Sequence, residues 1–231
     1  MHRQIELVAL GDVHAPFHNR KALAWAIEQI RQLKPAYVVQ MGDLLDQYGF
    51  SKHATNPNLM SPKEELAKGM KAAREMWAAI REASPKSQCL QISGNHDARI
   101  RKRVAEKLPE LQDVLDLEMF DFPGVKCVNN DREYVRIVLP YSKTKVILTH
   151  GWFTQPGRHL AYFNESVLFG HLHRPSIVYE PQPKGKPLFE LNVGYLGDQN
   201  SPVFNYGNTV RRKWQNGIGV IENGNPSFWA Y

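Results

Sequence analysis

Cysteine is scarce in this chain: Cys89 and Cys127 are the only two among 231 residues, too few for the disulfide framework of a small secreted domain. Cys89 lies in the apolar run at residues 88–93, which favours reduced thiols and a cytoplasmic setting. No apolar stretch approaches the roughly 20 residues of a membrane helix, so no membrane partner is expected. The opening run Ile5–Leu10 ends at once in Gly11-Asp12, too soon for a secretory core. Low-complexity tracts and internal repeats are also missing, which excludes disordered and solenoid architectures. Without a His-Glu-x-x-His pattern, a zinc peptidase of that type is set aside.

What remains is an ordered composition, with 42% hydrophobic and 23% charged residues. Its length suits one substantial α/β core, and residues 1–231 are read as a single domain. The formal charge of +6 favours an anionic substrate only weakly. A local argument is better: Arg99, Arg101, Lys102 and Arg103 follow directly on Gly94-Asn95-His96-Asp97. The competing reading is a solvated helix face.

The first half alternates strands and helices. The strand Ile5–Leu10 precedes a helix opened by Asn19, with Leu23, Ile27, Ile30 and Leu33 at helical spacing. A second strand is predicted at 37–41. Ser61-Pro62-Lys63-Glu64 has the form of a capping box with proline at the first helical position, leading the stripe Leu66, Met70, Ala73, Trp77 and Ile80. A third strand at 88–93 and a basic helix at 98–108 follow. After about residue 125 short strands dominate, predicted at 125–128, 134–139, 145–149, 166–169, 177–180, 188–193 and 217–221. An α/β half running into a β-rich half without a linker implies two sheets packed together under outer helices.

Metal-donor residues cluster at the predicted strand ends: Asp12-x-His14, Gly42-Asp43, Gly94-Asn95-His96-Asp97, Thr149-His150-Gly151 and Gly170-His171-x-His173. In extended backbone, residues two apart point the same way, so Asp12 with His14, and His171 with His173, can each present a pair of donors. Gly42 leaves room for a close approach to an ion. Each cluster alone has a structural explanation as a turn, a loop dipeptide or a core imidazole. Their joint occurrence in this order argues for two cations and attack on phosphorus.

These motifs resemble those of the calcineurin-like metallophosphoesterase superfamily, in the order Asp-x-His, Gly-Asp-x-x-Asp, Gly-Asn-His-Asp, His and Gly-His-x-His, over residues from about 5 to 195. The resemblance implies a four-layer α/β/β/α sandwich with two mixed β-sheets and a dinuclear site at the strand ends. It places Asp12, His14, Asp43 and His173 on one metal, and Asp43, Asn95, His150 and His171 on the other. It puts the catalytic pair on His96 and Asp46. A hydroxide acidified between two cations can attack phosphorus in line, His96 can protonate the departing oxygen, and Asp46 can orient its imidazole. Asp97 is expected to brace the loop. Nitrogen and oxygen donors without thiolate suit two divalent ions, Mn²⁺ first, with Fe, Zn²⁺ or Ni²⁺ as alternatives.

One departure bears on substrate. Protein phosphatases of the superfamily carry Arg immediately after the dyad Asp, where this chain has Gln47, so a phosphate-gripping arginine must come from Arg99, Arg101 or Arg158. Two segments are expected to shape specificity: residues 47–60, with Tyr48, Phe50 and His53, and residues 152–164, with His159 and Tyr162. Their rings can stack a base or serve as satellite core. Arg211-Arg212-Lys213-Trp214 is read as the solvated flank of the strand that follows. The expected activity is phosphodiester hydrolysis of nucleotide or nucleic-acid-type substrates. The alternatives are a phosphomonoesterase of small substrates, or an inactive scaffold or binding module on the same fold.

Overall fold

We describe a computed structural model of the chain, covering residues 4–52, 59–111, 120–207 and 213–231. Two mixed sheets form its centre. The first contains β1 (Ile5–Leu10), β2 (Tyr37–Gln40), β3 (Gln88–Ile92), β4 (Val125–Val128), β10 (Gly217–Glu222) and β11 (Asn225–Ala230), in the order β11-β10-β1-β2-β3-β4. β1 to β4 are parallel, with β10 and β11 added antiparallel on the β1 side. The second contains β5 (Tyr134–Val138), β6 (Lys145–Thr149), β7 (Ser166–Phe169), β8 (Ser176–Glu180) and β9 (Leu188–Asn192), in the order β5-β6-β7-β9-β8. Here β6, β7 and β9 are parallel.

Side-chain alternation along β1 sorts the core into two layers. Leu7 and Ala9 face the second sheet and join Val39, Met41, Leu90, Leu148, Leu168 and Leu191 in one buried cluster. Val8 and Leu10 face outward and join the helices α1 (Arg20–Leu33) and α2 (Pro62–Ala83) in another. Trp77 of α2 is 2% exposed and donates its indole N–H to Gln91 Oε1 at 3.1 Å, so the polar atom of this large ring is satisfied inside the core. Burying one such side chain contributes about 2–3 kcal/mol.

The helix caps form as expected, with one difference. Asn19 accepts from the amides of Lys21 and Ala22, and Ser61 accepts from Glu64 at 3.2 Å. The Glu64 carboxylate takes Lys68 at 2.7 Å, an (i, i+4) pair on the solvent side, so the capping box is made from the Ser61 side.

The expected sandwich is present, with a thin fourth layer. α3 (Arg99–Lys107) packs beside the 3-10 turns at Tyr48–Phe50 and Pro109–Leu111. The six-residue α4 (Arg158–Phe163) lies on β7 and β9. Two elements were not anticipated. α4 begins at Gly157 in a left-handed conformation without a side-chain cap, so no start signal marks it. β11 contains Pro226, a residue that disfavours central strands, but β11 is an edge, where a missing N–H is tolerated. The dipeptide Asn223-Gly224, at φ 50° and 77°, was the available hairpin signal.

Candidate metal centre

The parallel strands deliver their C-terminal ends to one rim of the sandwich: Asp12 and His14 after β1, Asp43 and Asp46 after β2, Asn95, His96 and Asp97 after β3, His150 after β6, and His171 and His173 after β7. Gln40, the last residue of β2, accepts from the Gly42 amide at 2.9 Å and donates to the Gly42 carbonyl at 2.7 Å. That clamp fixes the turn presenting Asp43. Asp97 accepts from the amides of Leu44, Leu45 and Gly94, tying the β2 and β3 loops together, the bracing role expected of it. Its burial and the nearby Asp43 charge push its carboxyl up to about 7.

Strain accompanies this loop geometry. His14, Asp43, Gln47, His171 and His173 have φ between 51° and 71°, left-handed values that cost non-glycine residues about 1–3 kcal/mol each. The extended-backbone argument for paired histidines therefore fails at Gly170-His171-x-His173. The turn sends His171 and His173 to different donor groups. Gly42, at φ 95°, admits the His150 ring: a Cβ there would lie 2.5 Å from His150 Nδ1.

In the first group, His173 Nε2 lies 2.9 Å from Asp12 Oδ2 and 3.0 Å from His14 Nε2. The His14 Nδ1–H donates to Asp46 Oδ1 at 2.9 Å, so its Nε2 carries a lone pair facing the group. In the second, Asn95 Oδ1 lies 3.0 Å from both His150 Nε2 and His171 Nδ1, and Asp43 Oδ2 lies 3.3 Å from His150 Nε2. His150 donates Nδ1–H to the Met41 carbonyl at 2.9 Å, again leaving Nε2 as the free donor atom. Donors bound at about 2.1 Å to one cation are themselves about 3.0–3.4 Å apart in octahedral or tetrahedral geometry, and these spacings match. Two groups, Asp12/His14/His173 and Asp43/His150/His171, could each hold an ion, and Asp43 also falls within reach of His14 and His96.

Without a cation, the carboxylates and histidines of the site set one another's protonation. Burial presses the Asp12 carboxyl upward, but the His173 hydrogen bond and charge outweigh it and the net shift is downward. Asp43 is held well below the ordinary carboxylate range because His150 and His96 outweigh its burial. Burial presses His150 downward, but the Asp43 charge lifts it to about 10, whereas burial and the His150 charge bring His171 down to about 4.

Beside the donors, Asp46 Oδ1 accepts from His96 Nδ1 at 2.7 Å, and burial of Asp46 is outweighed by the His96 and His14 charges and hydrogen bonds, so it stays ionised. Arg99 donates to the Asp46 carbonyl at 2.8 Å, and its other guanidinium nitrogen lies 3.0 Å from His96 Nε2.

Residues 5–189 match the family described as calcineurin-like phosphoesterase. The chain belongs to that family. This calcineurin-like phosphoesterase is 28% identical to the Gene 54 proteins of the Mycobacterium phages D29 and L5, with 93% of this chain and 88% of each of those covered. Among solved structures it is similar to YfcE, a phosphoesterase from E. coli, at 16% identity over 97% of this chain and 92% of that one, with a TM-score of 0.44.

Three of the residues expected to touch substrate have other contacts or surroundings in this phosphoesterase. Arg158 lies over the Phe153 ring at 5.5 Å, Arg101 is half-exposed on α3, and Tyr48 has its amide held by Glu65 at 2.6 Å. His53 lies outside the described residues, as do Arg211 and Arg212. Gln47, where protein phosphatases carry Arg, donates to the Asp97 carbonyl and accepts from Ile100 at the start of α3. His159 is buried, and its Nε2 accepts from the amides of Trp152 and Phe153, so it serves as core.

The aromatic surround was missed. Phe204 packs edge-on to His14 at 5.0 Å, Tyr195 stacks on His173 at 5.0 Å, and Trp214 meets the edge of His173 at 4.4 Å. Trp214 is thus part of the wall, not merely a strand flank. Gly194-Tyr195 after β9 repeats the strand-then-glycine pattern of the ligand loops, and was the one available signal.

Proposed function

We propose that the chain is a dinuclear-metal phosphohydrolase favouring phosphodiesters of nucleotide or nucleic-acid type. The observation that carries the reading is the pair of convergent donor groups with Asp43 between them and the Asp46–His96 pair alongside. Asp12, His14, Asp43 and His173 would hold one divalent ion, and Asp43, Asn95, His150 and His171 the other, with Mn²⁺ first among candidates. When bound, such ions polarise phosphoryl oxygens and lower the pKa of water.

The chain's own groups supply the remaining chemistry. His96, oriented by Asp46, delivers a proton from Nε2 to the departing oxygen. Arg99 already directs a guanidinium at that nitrogen, and in the substrate complex its fork turns to a phosphoryl oxygen, which frees Nε2 for the proton. The preference for diesters is supported by Gln47, which is used to cap α3 and offers no second guanidinium. Pairing of β10 onto β1 supports one domain over residues 1–231. The free thiols at Cys89 and Cys127 favour a cytoplasmic setting, and among the described residues no helix is long and apolar enough to cross a membrane.

The test compares bis-p-nitrophenyl phosphate with p-nitrophenyl phosphate across Mn²⁺, Ni²⁺, Zn²⁺ and Mg²⁺, with Asp43→Ala as control. The diester should turn over faster and Asp43→Ala should be inactive. No turnover with any metal, or full activity in Asp43→Ala, overturns the proposal; a faster monoester assigns the enzyme as a phosphomonoesterase.

A further inference from the structure

Beside the second donor group opens a cavity of about 600 Å³ whose lining includes Asn95, His150 and His171, a volume in the range of small-molecule sites. Its other walls hold three large exposed rings: Tyr134 at 45% exposure, Trp152 at 36% and Tyr162 at 65%. Exposed rings gathered at one cavity mark a binding surface better than rings scattered singly.

Those rings are held in place. Phe163 packs against Tyr134 at 5.0 Å, Trp152 at 5.8 Å and Tyr162 at 5.0 Å, so all three lean on one hub. Arg136 covers Tyr134 at 5.6 Å and is itself fastened by two nitrogens to Glu165. A platform ordered in advance loses little side-chain freedom when a ligand lands on it. Lys102 and Arg132 line the same cavity, with Asp131 bonded to Lys102 at 2.5 Å. Flat rings to stack on, cations for a backbone phosphate and one carboxylate able to accept from a base N–H form a set that suits a nucleoside. An aliphatic ester would leave the rings unused.

We propose that this cavity seats an unpaired nucleobase of a nucleic-acid strand or nucleotide, with the adjoining phosphate over Asn95, His150 and His171. The inference rests on the phosphohydrolase reading and adds where the base of its substrate sits and that the base is unpaired. Stacking on a protein ring requires a base free of its duplex neighbours, so single strands are preferred.

The experiment pairs two diesters with one leaving group, thymidine 5′-(p-nitrophenyl phosphate) and methyl p-nitrophenyl phosphate. The wild type should favour the thymidine ester. Tyr162→Ala and Trp152→Ala should each cut the ratio of the two kcat/KM values about tenfold, and Trp152→Phe should restore most of it. In parallel, fluorescence anisotropy of a labelled oligothymidylate should show binding that Tyr162→Ala weakens and that duplex DNA or inorganic polyphosphate displaces poorly. An unchanged ratio in both alanine variants overturns the base site, as does equal competition by polyphosphate or a phosphopeptide. If neither ester turns over with any metal while Tyr162→Ala still weakens strand binding, the hydrolase reading fails and the base site stands.

Discussion

Asp46 Oδ1 lies 2.7 Å from His96 Nδ1, and this contact decides which nitrogen of the imidazole is available to a substrate. The same oxygen is 2.9 Å from His14 Nδ1, so one carboxylate orients both an expected metal donor and the expected acid. Asp46→Asn keeps an oxygen that can accept from both rings but removes the negative charge beside them. Its kcat on an alkyl phosphodiester should fall about 10²–10⁴-fold, with weaker metal binding by calorimetry. Retention of both properties would remove Asp46 from the mechanism.

His96→Ala should discriminate between leaving groups. A p-nitrophenolate departs with little protonation, whereas an alkoxide needs the proton, so the variant should lose far more activity on alkyl esters than on p-nitrophenyl esters. Equal losses on both would argue that His96 is not the acid.

Arg99 reaches two acceptors at once, the Asp46 carbonyl and the His96 ring. A lysine ammonium lacks that planar fork, so Arg99→Lys should resemble Arg99→Ala, each raising KM for a diester by about tenfold. Full rescue by lysine would show that charge alone is what the site uses.

Gly94 has no room for a side chain: a Cβ would fall 2.1 Å from Asp43 Oδ1 and 2.3 Å from its amide nitrogen. Gly94→Ala must displace Asp43, and the overpacking should cost about 1–3 kcal/mol. A lowered melting temperature together with loss of the second metal equivalent is the expected result; a variant that binds two equivalents at the wild-type melting temperature contradicts it.

Burial pulls the His159 pKa down to about 4, with help from the His171 and His150 charges. A lowered folded-state value means that its contribution to stability is fully present above the unfolded value near 6.5 and is lost as pH falls through about 4. His159→Gln keeps an oxygen where Nε2 accepts the two amides, and it does not titrate. In chelator, its melting temperature should fall less than that of the wild type between pH 6.5 and 4. Parallel curves would exclude His159 as a source of acid lability.

Most of the strands and long helices were legible because they follow from local chemistry: alternation in β1, the Asn19 cap of α1, and Pro62 at the start of α2. The donor residues were legible for a different reason, since each sits one to five residues beyond a recognisable strand. The partners of those donors were not. Trp214 and His173 are far apart in sequence, and only the closing of the sandwich brings their rings to 4.4 Å. Arg101 and Arg99 looked equivalent in the basic run after His96, and the turn into α3 alone separates them.

The sequence by itself determined the two-sheet architecture, the order in which donors arrive and the family to which the chain belongs, because hydrophobic period, caps and motif spacing are local properties. Only the tertiary structure decided by what backbone geometry the donors reach their two groups. His171 and His173 turn to separate groups through left-handed backbone that no spacing rule encodes. Asp46 is shared by two rings, and the exposed aromatics gather at one cavity. These arrangements depend on distances between strand ends, and those are set by how the two sheets pack.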